Sequence, residues 1–152
     1  MATQVDLTLS GPMDHLRLVW QVGENLLESV PFPEDPEGTR YNILLAVQEM
    51  LTNVLRHSYA PNDARPVHVR FLLTDQSVEV TLRDQGVEFN PLRFENHRID
   101  EAELQEEMPT SVGGYGIHIT RMVMDEVSYQ RQGGWNHLCM TKRCGQAAAT
   151  LR

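Results

Sequence analysis

The sequence predicts an α+β fold, a two-layer α/β sandwich in which helices cover one face of a mixed, mostly antiparallel sheet. Three observations predict it. Two long stretches, 13–29 and Thr39 to Tyr59, carry apolar residues at helical spacing. Two pairs of short alternating stretches, 67–71 with 78–82 and 127–129 with 138–140, are each separated by turn residues and read as hairpins. A further alternating stretch, 4–9, opens the chain.

Each element has a local reason. Val5, Leu7 and Leu9 alternate with polar neighbours, and Ser10-Gly11-Pro12 breaks that strand. Pro12 suits a first helical turn. Leu16, Val19, Trp20, Gly23, Leu26 and Leu27 then keep a 3–4 spacing. Residues 31–38 hold three prolines and read as a connector, with Thr39 the expected N-cap of the next helix. Pro61-Asn62-Asp63 closes that helix. Thr74 to Ser77 turns the first hairpin, whose second strand runs into Arg83-Asp84-Gln85-Gly86. Residues 85–112 carry little regular pattern beyond an acidic helix expected at Asp100–Glu107, and a connection this long reads as a lid or binding loop. Gly113-Gly114-Tyr115-Gly116 leads into a helix, and Gly133-Gly134 marks the second tight turn. The tail after residue 143 reads as frayed.

Composition narrows the function classes. A chain of 152 residues with 41% apolar content suits one domain with a full core. The formal net charge of −8 argues against a nucleic-acid binder, which needs a basic patch. No apolar run approaches the ~18 residues of a membrane span, and the first ten residues do not read as a signal peptide. The two cysteines, Cys139 and Cys144, make no disulfide framework, which places the expected compartment in the cytoplasm.

The stretch Leu44 to Tyr59 carries more than packing. Leu44, Val47, Leu51, Val54 and Leu55 form an apolar stripe. Glu49, Asn53 and His57 lie four apart, one helical turn above another, with a drift of about 40° per step. On that stretch alone, a mixed polar face and the wall of a site are both open. A carboxamide oxygen can ligate Mg²⁺, and a carboxylate one turn away can take a proton.

Two further constellations follow in order. Asp84-Gln85-Gly86 sits at a strand end, where a turn is ordinary. A buried carboxylate there could also accept a hydrogen bond from an exocyclic amine, with Gly86 letting a base approach the backbone. The glycines before the third helix can turn N–H groups toward phosphate, as can the helix N-terminus; a hinge is the plain alternative. There is no GxxxxGK[ST] and no HRD or DFG, so neither a P-loop nor a eukaryotic-type kinase is present.

The order of these motifs carries a resemblance. Glu49 to Asn53 on a helix, Asp84-x-Gly86 after a strand, a long lid, then GGYG opening a helix resemble the GHKL ATPase superfamily (histidine kinases, gyrase-type ATPases, Hsp90). Within it, residues 49–59, DQGVEFNP, GGYGIHITRMVMDEVSYQR and GGWNHLCMTKR are similar to the stand-alone anti-sigma-factor serine kinases of bacterial partner switching. The resemblance runs over residues 5–143 and implies a Bergerat ATP-binding domain at 1–143 with a tail at 144–152. It implies Glu49 as general base and Asn53 as Mg²⁺ ligand. Asp84 and Gly86 would read adenine, and Gly114 and Gly116 would lie on the phosphate side. His57 and Asn136 are carried as nucleotide-side residues. Glu88 and Tyr115 depart from the common pattern. The implied function is an ATP- and Mg²⁺-dependent serine/threonine protein kinase and anti-sigma factor. Its implied partners are a STAS-domain anti-anti-sigma protein, a sigma factor and a second copy of the chain. The alternative is a nucleotide-gated binding module without kinase turnover.

Overall fold

The computed structural model of the chain describes residues 1–12, 14–59, 64–94 and 114–145. The order is β1 (Thr3–Leu9), α1 (His15–Leu27), α2 (Pro36–Asn53), a π-helical turn (Val54–Ser58), β2 (Val67–Leu73) and β3 (Ser77–Asp84). A 3₁₀ turn (Pro91–Phe94), α3 (Gly114–Val123), β4 (Glu126–Gln132) and β5 (Trp135–Arg143) complete it. The acidic helix expected at 100–107, the closing turn at 61–63 and the tail beyond 145 lie outside the described residues.

The strands form one sheet in the order β1-β2-β3-β5-β4. Each pairing is antiparallel, in line with the mostly antiparallel sheet expected, and no parallel pair occurs among the described residues. β5 pairs with β3 as well as with its hairpin neighbour β4, so the last strand enters the middle of the sheet and leaves β4 at the edge. Gly133 and Gly134 turn the β4–β5 hairpin at φ +59° and +80°, a conformation that residues with a Cβ rarely adopt.

Strict alternation decides which face is core. Val67, Val69, Phe71 and Leu73 of β2 are buried, as are Val78, Val80 and Leu82 of β3. Leu138 and Met140 continue that layer on β5. The helices close over it, and α2 packs against both α1 and α3. That central position explains why α2 buries Ile43, Ala46 and Met50 in addition to the expected stripe of Leu44, Val47 and Leu51. A side chain of this size contributes about 1.5–3 kcal/mol on burial, so this helix is anchored along most of its length.

Two features of α2 differ from the sequence reading. The helix starts at Pro36, and its N-cap is Asp35 rather than Thr39. The Asp35 carboxylate accepts from Gly38 N–H at 3.2 Å, and Pro36 has no N–H to leave unpaired. The α-helix also ends at Asn53, where a π turn takes over. Closing i→i+5, that wider turn rotates later positions away from the Glu49–Asn53 line. His57 leaves the line, and its ring stacks on Phe89, with centroids 4.8 Å apart and planes 21° from parallel.

Candidate functional site

The inward row of β3 is Val78, Val80, Leu82 and Asp84, so its last core position is a carboxylate. Asp84 is 1% exposed. Burial pushes its pKa above the ordinary carboxylate range, while bonds from Asn136, Gly86 and Ser58 and the charge of Arg131 pull the other way. Asp84 Oδ1 accepts from Gly86 N–H at 2.9 Å and from Asn136 Nδ2 at 2.9 Å. The strand register explains the second bond, because Asp84 and Asn136 are direct partners across β3 and β5.

The Asp-x-Gly turn is fastened to the π turn. Val87 N–H donates to the Ser58 carbonyl at 2.8 Å. A Cβ at Gly86 would lie 2.0 Å from that same oxygen, so only glycine permits the approach. Tyr59 follows with its hydroxyl accepting from Gln85 N–H and donating to the Pro66 carbonyl, both at 2.8 Å. Arg65 donates to the Gln85 carbonyl at 2.7 Å. The turn's peptide groups are therefore held from both sides. Its geometry depends on the π turn, which puts Ser58 and Tyr59 where they meet it.

The other end of the site is built where α2 meets α3. The third helix begins at Gly114, so Gly114 and Gly116 lie inside its first turn rather than in a loop before it. A Cβ on Gly116 would lie 2.9 Å from Glu49 Oε2 and 3.2 Å from Glu49 Cβ. Gly116 thus lets α3 pack directly on the half-buried Glu49. Thr120 Oγ1 donates to the Gly116 carbonyl at 2.8 Å and fastens that turn. One turn beyond Glu49, Asn53 is 6% exposed and its Nδ2 has no hydrogen-bond partner among the described residues. Such a buried amide normally costs about 1–3 kcal/mol when left unpaired, and it fits a site that awaits a polar ligand.

One continuous helix therefore carries groups for both ends. Ser58 touches Asp84, and Glu49 lies nine residues earlier, roughly 13 Å along the axis at helical rise. Glu49, Asn53 and Gly116 gather at one end, and Asp84, Gly86 and Asn136 at the other. His57 packs on Phe89. Two cavities of about 420 and 450 Å³ lie elsewhere, one between α1 and α2 beside Trp20 and Tyr41, the other beside Pro33 and Cys144. Both thiols are free, and burial pushes their pKa values up, so neither is a ready thiolate.

The sequence reading missed Ser58, Tyr129 and Arg131. Arg131 Nη1 donates to Asn136 Oδ1 at 2.9 Å and to the Gly86 carbonyl at 3.0 Å. A signal existed. Val127, Tyr129 and Arg131 share one face of β4, and a two-glycine hairpin sets Arg131 opposite Asn136. Arg93 pairs with Glu88 at 3.4 Å on the exposed surface, away from the buried Asp84 carboxylate.

Among the described residues, no three His, Cys, Asp or Glu side chains group as a metal cluster. A Mg²⁺ ion needs no such cluster, since it commonly takes one or two protein oxygens and completes its shell with phosphates and water. Among those residues, too, no helix is long and apolar enough to cross a membrane.

Comparison with known proteins gives consistent results. Residues 10–142 match the family described as histidine kinase-like ATPase domain. The serine/threonine-protein kinase BtrW of Bordetella bronchiseptica is 29% identical over 102 residues, covering 67% of this chain and 69% of that protein. The serine-protein kinase RsbW of Bacillus velezensis is 31% identical over 109 residues, covering 66% of this chain and 62% of that protein. The RsbW of Oceanobacillus iheyensis is 25% identical, and the match spans 59% of its length. The solved structure of the RsbU and RsbW domains of a Mycobacterium tuberculosis protein superposes with a TM-score of 0.62 at 16% identity. It covers 93% of this chain and 32% of that one. The SiaB–SiaC complex from Pseudomonas aeruginosa gives 0.53 at 12% identity, covering 91% and 89%. At such identities these two structures speak to the fold.

Proposed function

The chain belongs to the histidine kinase-like ATPase domain family, and from that we propose that it binds Mg·ATP and phosphorylates a serine or threonine of a STAS-domain anti-anti-sigma protein. The observation that carries the proposal is Asp84. It is a carboxylate in a core position, 1% exposed, held by hydrogen bonds from Asn136, Gly86 and Ser58 and, among the described residues, by no ion pair. A fold retains such a costly group where a ligand's donor repays it. Relatives named as serine-protein kinases support the reaction class.

The residues present fit the nucleotide. The Asn53 Nδ2 donor left unpaired among the described residues, the glycine-permitted contact at Gly86 and the close packing of Gly116 on Glu49 are the supporting observations. When bound, Mg·ATP supplies the transferable γ-phosphoryl group and the cation that offsets its charge. The remaining roles fall to the chain. Asp84 accepts a hydrogen bond from the exocyclic amine of adenine, and Gly86 lets the base approach the backbone. His57, braced by Phe89, lines the nucleotide pocket. Asn53 offers its carboxamide oxygen to Mg²⁺. Gly114 and Gly116, in the first turn of α3, aim backbone N–H groups at phosphate. Glu49 would take the proton of the partner's hydroxyl as its oxygen bonds to the γ-phosphorus and the bond from that phosphorus to the bridging oxygen breaks, ADP leaving with that oxygen. Rate enhancement then comes chiefly from positioning and electrostatics.

The same proposal includes a sigma factor as a second partner, a homodimer, a cytoplasmic setting and a role in transcription regulation. Calorimetry tests its first step. Mg·ATP binds the parent chain, and binding is lost in Asp84→Asn. A parent chain that binds no ATP contradicts the proposal.

A further inference from the structure

Two side chains of the edge strand β4 reach the base end of the site. Arg131 Nη1 donates to Asn136 Oδ1 at 2.9 Å, and the Tyr129 hydroxyl donates to the same oxygen. On its other side, Asn136 Nδ2 donates to Asp84 Oδ1 at 2.9 Å and to the Val87 carbonyl at 2.8 Å. A primary carboxamide offers two N–H donors and two oxygen lone pairs. All four are used inside the protein, so Asn136 keeps no hydrogen bond for a base. Its orientation is also set. Turned by 180°, its oxygen would face a carboxylate and a carbonyl, and its NH₂ would face a guanidinium.

We propose that Arg131, assisted by Tyr129, is a positioning residue for nucleotide selection, locking the Asn136 carboxamide so that its NH₂ faces Asp84. This rests on the reading of Asp84 as the base-recognising carboxylate. Two consequences follow from the geometry. First, Asp84 Oδ1 already accepts from Gly86 and Asn136, so the carboxylate meets the base with its remaining acceptor capacity alone. An exocyclic amine satisfies it, and a ring carbonyl at that position meets oxygen against oxygen. Second, Arg131 also donates to the Gly86 carbonyl at 3.0 Å, so one guanidinium fixes both the amide and the turn that present Asp84. Without Arg131 the carboxamide can rotate, and Asp84 loses the donor that keeps its acceptor face directed. Asn136 thus acts through Asp84 rather than on the nucleotide.

The test is calorimetric binding of Mg·ATP and Mg·ITP, which differ at the 6-amino or 6-oxo position. It uses the parent chain, Arg131→Met, Arg131→Lys, Asn136→Ala and the Arg131→Met/Asn136→Ala double variant. The parent prefers ATP. Arg131→Met loses about ten-fold of that preference, the scale of one charge-assisted hydrogen bond. Arg131→Lys, which keeps one donor and the charge, recovers part of it. In the Asn136→Ala background, Arg131→Met changes the ratio by less than about two-fold, because coupled residues are not additive. Where melting curves show Arg131→Met to be unfolded, Arg131→Gln replaces it, with an expected loss of about three-fold. An unchanged ATP:ITP ratio in the folded Arg131 variant overturns the lock, as does an equal loss with and without Asn136. A parent that binds both nucleotides equally also overturns it. A parent that binds neither overturns the nucleotide site itself, and the lock with it.

Discussion

Asp84 and Asn136 stand directly opposite each other on β3 and β5, and the Asn136 carboxamide donates to the Asp84 carboxylate at 2.9 Å. The pair lies at the inner edge of the core, where burial raises the pKa of Asp84. Between its ordinary and its raised value, the folded chain keeps a proton that the unfolded chain has lost. Stability therefore falls as pH rises through that window, and the cost is fully present above the raised value. Asp84→Asn carries no charge, and its oxygen can still accept from Gly86 and Asn136. The variant should gain stability relative to the parent as pH rises through that window, while losing ATP. Denaturation midpoints at several pH values check this, and parallel curves for the two proteins would contradict it.

Gly86 has a steric reason for its identity. A Cβ there would meet the Ser58 carbonyl oxygen at 2.0 Å and its carbon at 2.4 Å, backbone atoms that cannot swing aside. Gly86→Ala must push the Asp-x-Gly turn off the π turn and break the Val87–Ser58 bond. The expected loss is about 2–3 kcal/mol in urea unfolding, the upper part of the range for overpacking. A loss below about 0.5 kcal/mol, the level of a neutral surface change, would mean that the contact is not rigid.

Asn53 and Asn136 form a matched pair of buried amides, 6% and 3% exposed. Asn136 has every hydrogen bond made, whereas Asn53 Nδ2 has none among the described residues. Truncation to alanine should therefore separate them. Asn136→Ala strands buried partners and should cost more than about 2 kcal/mol, while Asn53→Ala should cost less than about 1 kcal/mol or stabilise the chain. Asn53→Ala should also remove the Mg²⁺-dependent part of ATP affinity. Equal costs for the two would count against Asn53 as an amide kept for a ligand.

Gly116→Ala tests the contact between the helices. The added methyl would lie 2.9 Å from Glu49 Oε2, the free end of a flexible side chain. The fold should tolerate it within about 1 kcal/mol, but Glu49 must move. A displacement near 1 Å can cost on the order of 100-fold in rate, so phosphotransfer should fall far more than ATP affinity. Equal losses in both would assign Gly116 to binding alone.

Much of this was legible in the chain. Alternation in β2 and β3 fixed the core face, and it also left Asp84 as the last inward residue of its strand. Helical spacing identified α1 and α2, and the glycine pair located the final hairpin. What escaped has physical causes. Hydrophobic periodicity reports a stripe but not the i→i+5 closure that turns His57 onto Phe89. Asp35 does not stand out as a cap because Pro36 reads first as a breaker, although proline is equally suited to a first helical position. Tyr129 and Arg131 enter the site through pairing between a distant hairpin and the Asp-x-Gly turn, and no local pattern announces such contacts. Their parity with Val127 was the one available clue.

In the proposed function, Glu49, set against Gly116 at the far end of the helix from Asp84, takes the proton of a protein hydroxyl. The direct measurement mixes the full chain with γ-labelled ATP, Mg²⁺ and a co-encoded STAS-domain protein, and follows label on the partner's serine or threonine. Transfer should occur with the parent chain. It should fall at least about 100-fold with Glu49→Gln, the lower end of what a general base contributes, while calorimetry shows ATP still bound. ATP binding and partner capture without label transfer, identical in parent and Glu49→Gln, would contradict the account and leave a nucleotide-gated binding module in its place.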